Sequence, residues 1–377
     1  MCCIFLLDKD WKKKLVANYK SLIIISLTGI FFIYLLSFFN SENKTEYWNV
    51  LKNKIPFLFI PISILSINSL SKMQLKFIKY VFIICSLLSS IWSYYQYFQN
   101  PEKYIELYSV GQVIPTIIHH VSFSFLLSVA ILFVLTNVLN ANNKIEIVFN
   151  LILLLWFTYF IHILSVRTGI VLLYISLFLF ALSTLILHKK VVFAVSLVAI
   201  LILSFNFSYQ KIPTIKNKVD YTVYSLKQYK NNTDTFNQTS DTRRILSDKI
   251  GLSIIQQHKY KGVGFGDIQD EMNFIYKTKY PAFTKEVYSK IHNQYLYVIA
   301  SVGIILGIIF ILFLLSPLVQ FIKNKSIVFA ISYLLLLMLM LWESFIENQL
   351  GSSIFLVICC LGFLDKQKSS ITLSNNE

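Results

Sequence analysis

Ile291-His292-Asn293-Gln294-Tyr295-Leu296-Tyr297-Val298-Ile299-Ala300 continues through Ser301-Val302-Gly303-Ile304 into an apolar run that ends near Ser316. Within four residues the chain passes from a polar, basic interval into a stretch long enough to cross a hydrocarbon core. The reading of this junction decides the fold. Upstream of it lies a polar interval, residues 208–294, and upstream of that the chain is again apolar.

The whole chain follows the same pattern. Its 377 residues are 56% hydrophobic and 14% charged, with a mean hydropathy of +0.63. Soluble domains carry roughly 25% charged residues, so this composition belongs in lipid. Ten apolar stretches are expected as spans: 21–39, 55–70, 77–98, 117–137, 145–164, 168–187, 191–207, 295–316, 326–346 and 350–364. The predicted class is an all-α polytopic membrane protein with about ten transmembrane helices and one large outer loop bearing short helices. The expected divisions are N-terminal membrane helices over 1–207, the loop over 208–294 and C-terminal membrane helices over 295–377. The first apolar run lacks a small-residue cleavage site and reads as a signal anchor.

Basic residues set the orientation. With the N-terminus inside, fourteen lysines gather on the inner side and five basic residues in the short outer loops. Both termini are therefore expected in the cytoplasm and the long loop outside. The net charge is +15, and the loop holds fourteen basic against eight acidic residues, a net of +6. Topology does not require that excess, which predicts attraction for an anionic partner. No nucleic-acid motif is present. Of the five cysteines (2, 3, 85, 359 and 360) none lies in the loop, so neither a disulfide framework nor a metal site is expected.

Within the loop, Ile245, Leu246, Ile250, Ile254 and Ile255 recur at helical spacing and predict a helix from Thr242 to His258, capped by Asp241 or Thr242. A second helix is expected near 267–278. Arg243 and Arg244 fall in the first turn of the first helix. The positive end of the helix dipole disfavours cations there unless an anion binds. A solvated pair, or one neutralised by Asp241 or Asp248, is the plainer alternative. Ser165-Val166-Arg167-Thr168-Gly169 places an arginine at an outer boundary between two spans, where it either snorkels or faces a cavity.

His292 stands at the outer edge of its span, and an imidazole there can take a proton near neutral pH. An interfacial hydrogen-bonding role is the plainer reading of a histidine beside Asn293 and Gln294. His119 and His120 lie at the same depth. The Gly262-Val263-Gly264-Phe265-Gly266-Asp267 turn lacks a preceding strand, so its glycines point to a tight turn against other backbone rather than to a nucleotide loop. Glu343 and Glu347 are expected on one helix face, pairing with an arginine or orienting the histidine.

These pieces together resemble the O-antigen ligase and polymerase superfamily of bacterial envelope glycosyltransferases. The resemblance rests on Ser165–Gly169, Thr242-Arg243-Arg244, Lys261–Asp267 and His292–Leu296 running into Gly303, in that order around one long loop. It covers roughly residues 20–364. Members commonly carry more spans than the ten counted here, with the shortfall at the N-terminus.

The resemblance implies a metal-independent, cofactor-free transfer of a glycan from an undecaprenyl-pyrophosphate carrier to an acceptor hydroxyl at the periplasmic face of the bacterial inner membrane. Lipid A-core is the favoured acceptor, and polymerase or protein O-oligosaccharyltransferase activity is the alternative. Arg167, Arg243 and His292 are the implied catalytic residues: the arginines hold the pyrophosphate and the histidine activates or orients the acceptor. Arg244, His120, Gly264 and Asn293 are the implied substrate contacts. A transporter or flippase for an anionic lipid is the reading from another class. It predicts charges buried in mid-span, whereas these charges gather at the boundaries. A non-catalytic envelope scaffold is a third, and it predicts that Arg167 and His292 tolerate replacement.

Overall fold

The computed structural model describes residues 20–64, 70–109, 111–189, 213–230, 240–281 and 288–374, with isolated residues between 191 and 210. Every described element is helical. Among the described residues six helices are long and apolar enough to cross a membrane: Leu22–Phe39, Met73–Gln99, His120–Asn140, Lys144–Leu164, Arg167–Ile186 and Gln294–Lys323. The expected spans at 55–70, 326–346 and 350–364 contain shorter apolar helices, and about half of the one at 191–207 lies outside the described residues.

The chain forms two compact units: residues 1–71, 234–333 and 340–377 make the first, and residues 72–233 and 334–339 the second. The polar interval 208–294 is thus divided between them.

The first unit contains α1 (Leu22–Leu36), α2 (Lys44–Lys52) and α3 (Ile55–Ile64). The two helices expected in the loop follow as α10 (Ser240–Gln257) and α11 (Ile268–Lys279), within two residues of their predicted ends. Leu246, Ile250 and Ile254 bury the apolar face of α10, as their spacing demands. Then come α12 (Gln294–Lys323), α13 (Ile327–Leu339, whose first half lies in this unit) and α14 (Gln349–Ser374). Asn293 caps α12, its side chain accepting from the N–H groups of Tyr295 (2.9 Å) and Leu296 (3.1 Å).

Two departures from the expected helices shape this unit. The first is at Gly303, where α12 leaves helical geometry with φ 83° and ψ 171°. The chain at Lys259–Gly264 fills the gap. Val263 N–H donates to Ala300 O (3.0 Å), Gly264 N–H to Ser301 O (2.7 Å) and Ile304 N–H to Lys259 O (2.9 Å). A Cβ on Gly303 would overlap the Tyr260 carbonyl, and one on Gly262 would overlap the Ser301 carbonyl. These two glycines exist to let two backbones cross.

The second departure corrects the expected helix 326–346. It ends at Leu339, and Met340–Asn348 is a non-helical break with a short 3₁₀ turn at Phe345–Glu347. Glu343 and Glu347 therefore do not share a helix face; they serve different partners.

In the second unit α4 (Lys72–Gln99) and α5 (Pro101–Ser109) precede α6 (His120–Asn140), α7 (Lys144–Leu164), α8 (Arg167–His188) and α9 (Pro213–Lys230). Nothing in the sequence reading marked α9. Most of α6 is buried, as a helix apolar on every side must be. By contrast α4 exposes Met73, Phe77, Ile84 and Leu88, a face suited to lipid. Gly169 of α8 packs directly on the Ser124 side chain of α6, the close approach that small residues permit.

Candidate functional site

α10 presents Arg243, Arg244, Ser247 and Asp248 on successive turns, and the first unit packs the start of α12 and the Met340–Asn348 break around them. Arg244 Nη2 lies 2.6 Å from Glu343 Oε1, and its Nη1 3.4 Å from Trp342 O. The other oxygen of Glu343 stands 3.5 Å from His292 Nδ1. His292 Nε2 is hydrogen-bonded to Ser289 Oγ at 2.9 Å. The imidazole thus sits between a carboxylate on one nitrogen and a hydroxyl on the other.

Asp248 fixes the backbone of the histidine turn. Its Oδ1 accepts from His292 N–H (3.2 Å) and Asn293 N–H (3.3 Å). Burial pushes the Asp248 carboxyl above its ordinary value, opposed by those N–H donors and by Arg244. Tyr276 of α11 completes this corner. Its ring stacks on Tyr288 at 4.8 Å, and burial pushes its hydroxyl up to about 12, with Asp248 and Arg243 both close enough to influence it.

Arg243 differs from its neighbour. Its Nε is buried without a hydrogen-bond partner, as is His292 Nδ1, and Arg243 has no ion pair among the described residues. Shielded donors of this kind normally have partners. Of two adjacent arginines, then, one is paired with Glu343 and the other has no acidic partner among the described residues.

Behind the histidine turn lies a buried polar network that sequence reasoning missed. Lys54 is 0% exposed and its Nζ lies 3.2 Å from Glu347 Oε2, itself 7% exposed. Lys54 also donates to Ile346 O and sits 4.7 Å over the Tyr34 ring. Glu347 Oε1 accepts from Tyr34 OH and, at 2.6 Å, from Gln294 Nε2. Burial pulls the Lys54 ammonium below its ordinary value, and Glu347 opposes the fall. In sequence Lys54 was one basic residue among those of the short outer loops; no local pattern signalled its burial.

The structure brings Arg243, Arg244, His292 and Asn293 together within the first unit. Gly264 belongs to the same unit, where a Cβ would lie 2.6 Å from Ser41 Oγ. Its turn is docked on residues 37–43: Phe265 and Gly266 N–H donate to Ser37 and Ser41 hydroxyls (3.0 and 3.1 Å). Asp267 accepts from Glu42 and Asn43 N–H (2.7 and 2.8 Å).

Arg167 and His120 lie in the second unit. Arg167 opens α8, its Nη1 donating to Thr222 Oγ1 of α9 at 3.0 Å. The preceding Ser165 takes a left-handed conformation (φ 49°) and bonds Thr214 Oγ1 at 2.8 Å. His120 opens α6, its ring 4.4 Å from that of His119. Among the described residues no group of three or more His, Cys, Asp or Glu is placed to hold a metal.

No curated protein matches the chain. Residues 149–311 match the family model described as O-antigen ligase. The matched segment begins within α7 and ends in α12 beyond Gly303. It contains Arg167, the Arg243-Arg244 pair, the glycine turn and the His292 turn. Over residues 149–311, a little under half of its length, the chain is thus similar to the O-antigen ligase family.

Proposed function

We propose that the protein transfers a glycan from an undecaprenyl-pyrophosphate carrier to an acceptor hydroxyl at the periplasmic face of the bacterial inner membrane, with lipid A-core as the favoured acceptor. The observation that carries this reading lies at the head of α10 and the histidine turn: an Arg243 with a shielded Nε that has no hydrogen-bond partner, and a histidine hydrogen-bonded to a hydroxyl through Nε2 with a carboxylate 3.5 Å from Nδ1.

In this reading the Arg243 guanidinium receives oxygens of the pyrophosphate, for which a planar cation with several N–H donors is suited. The acceptor hydroxyl takes the place of Ser289 Oγ at His292 Nε2. Its oxygen attacks the anomeric carbon, its proton passes to Nε2, and the bond from that carbon to the pyrophosphate oxygen breaks. The electron pair leaves with the carrier pyrophosphate, whose growing charge Arg243 stabilises. Attack opposite the leaving group inverts the anomeric carbon. Glu343 faces Nδ1 and favours the positive charge that develops on the ring, while Arg244 fixes Glu343. For Arg167 the support is its motif and its place in the first turn of α8, and its replacement is tested separately.

Purified protein in nanodiscs with an undecaprenyl-pyrophosphate-linked glycan tests the proposal. Arg243→Ala and His292→Ala are expected to lower transfer by about 100-fold or more while the protein still inserts, and Arg167→Ala likewise. Glu343→Gln is expected to cost about tenfold to 100-fold, as removing a partner that orients a reacting group commonly does. Full transfer by His292→Ala or Arg243→Ala removes the assigned role. In cells, glycan stranded on the carrier marks a ligase, and single repeats on lipid A mark a polymerase.

A further inference from the structure

We infer that Gln294, clamped by the buried Lys54–Glu347 pair, is a positioning residue that sets the distance between His292 and Glu343. The inference rests on the catalytic reading of His292 just given and names what regulates its geometry.

Glu343 sits in the Met340–Asn348 break, beyond the end of α13 and ahead of the short 3₁₀ turn that Glu347 N–H closes on Ser344 O at 3.2 Å. Gln294 grips that segment at two points. Its backbone N–H donates to Met340 O at 2.9 Å, and its side-chain Oε1 accepts from Ile346 N–H at 3.0 Å. These points flank Glu343 on either side. Gln294 is also two residues from His292 and forms the first turn of α12. One residue therefore joins the histidine turn to both ends of the stretch that carries the facing carboxylate.

The amide of Gln294 is itself not free to rotate. Its Nε2 is held at 2.6 Å by Glu347 Oε1, and Glu347 is held by Lys54 and by Tyr34 OH. The Tyr34 ring stacks on Phe265 at 4.0 Å with planes 7° apart. An amide flip would bring its NH₂ against the Ile346 N–H and its oxygen against a carboxylate, so the network permits one orientation. A buried charge pair is a poor source of stability, but it fixes a unique arrangement of hydrogen bonds. The fixed arrangement here holds both ends of the stretch that carries Glu343.

Gln294→Met and the milder Gln294→Asn test this. Gln294→Asn keeps the amide but is one methylene short of serving Glu347 and Ile346 together. With the undecaprenyl-pyrophosphate-linked glycan, Gln294→Met is expected to lower kcat by about tenfold to 100-fold. The donor KM is expected to change by less than about twofold, the mark of an interaction felt in the transition state. Gln294→Asn should fall between Gln294→Met and the wild type.

A second readout needs no turnover. The ¹⁵N shifts of the His292 imidazole at fixed pH, identified by their loss in His292→Asn, should move in Gln294→Met and Gln294→Asn towards those of Glu343→Gln. Shifts and kcat that stay at wild-type values in the folded variants overturn the inference. Absence of transfer by the wild type overturns the function instead, while the imidazole shifts still test the positioning role.

Discussion

Replacing Lys54 by Met should be among the most destabilising single changes in this chain. The side chain is fully buried and its partner Glu347 is 7% exposed, so removing the ammonium strands a carboxylate out of water. Breaking a buried pair in this way costs about 3–5 kcal/mol. The structure favours the lower end, because Tyr34 OH and Gln294 Nε2 still donate to Glu347. Nor does Ile346 O become an orphan, since Ser352 Oγ also donates to it at 2.7 Å. A loss of about 3 kcal/mol raises the unfolded-to-folded ratio by about two powers of ten.

The paired variant Lys54→Met/Glu347→Gln removes both charges and keeps an oxygen for the Gln294 amide. It should recover to within about 1 kcal/mol of the wild type, as uncharged replacements of buried pairs often do. Detergent-induced unfolding in mixed micelles, followed by circular dichroism, measures both variants. A single variant within about 1 kcal/mol of the wild type shows that the pair is solvated and refutes the reasoning. A double variant as unstable as the single one refutes it as well.

Gly303→Ala should cost more than about 1 kcal/mol, because a side chain must adopt a φ of 83° and displace the Tyr260 carbonyl; the same unfolding assay checks it, and an unchanged midpoint disproves the crossing. Asp248→Asn should show a pH-dependent gain. The Asp248 carboxyl is raised above its ordinary 3.8 by burial, so its contribution to stability is fully present below that value and is lost as pH rises through the folded value. Asn cannot ionise and keeps an oxygen for the His292 and Asn293 N–H groups. The variant should therefore match the wild type near the low end and exceed it at neutral pH. A variant less stable than the wild type at neutral pH contradicts the burial argument.

Local features were legible wherever local forces decide the outcome. The helices of the loop declared themselves through the spacing of Leu246, Ile250 and Ile254, and apolar length marked the spans at 145–164 and 295–316, the second of which runs on to Lys323. The glycine turn also declared its nature, since close backbone approach needs the absence of a Cβ. The break at Met340 did not. Its apolar residues favour continuing the helix, and what replaces the helical hydrogen bonds comes from Gln294 and Ser352, which no window around Met340 contains. The same holds for the site. Arg243, Arg244 and His292 stood out as charged or titratable residues at a membrane edge. Which arginine is neutralised, and that Lys54 meets Glu347, depend on pairings across most of the chain. In α9 the apolar residues are sparse and scattered among polar ones, so periodicity gave no signal there.

The gap in α12 at Gly303 has a mechanical consequence. The Lys259–Gly264 strap bonds both sides of the gap, Ala300 and Ser301 on one and Ile304 on the other, and Ile299 packs against Gly307 across it. Backbone groups that a broken helix would leave without partners are thereby bonded within the protein, and the two portions are stapled through one shared segment.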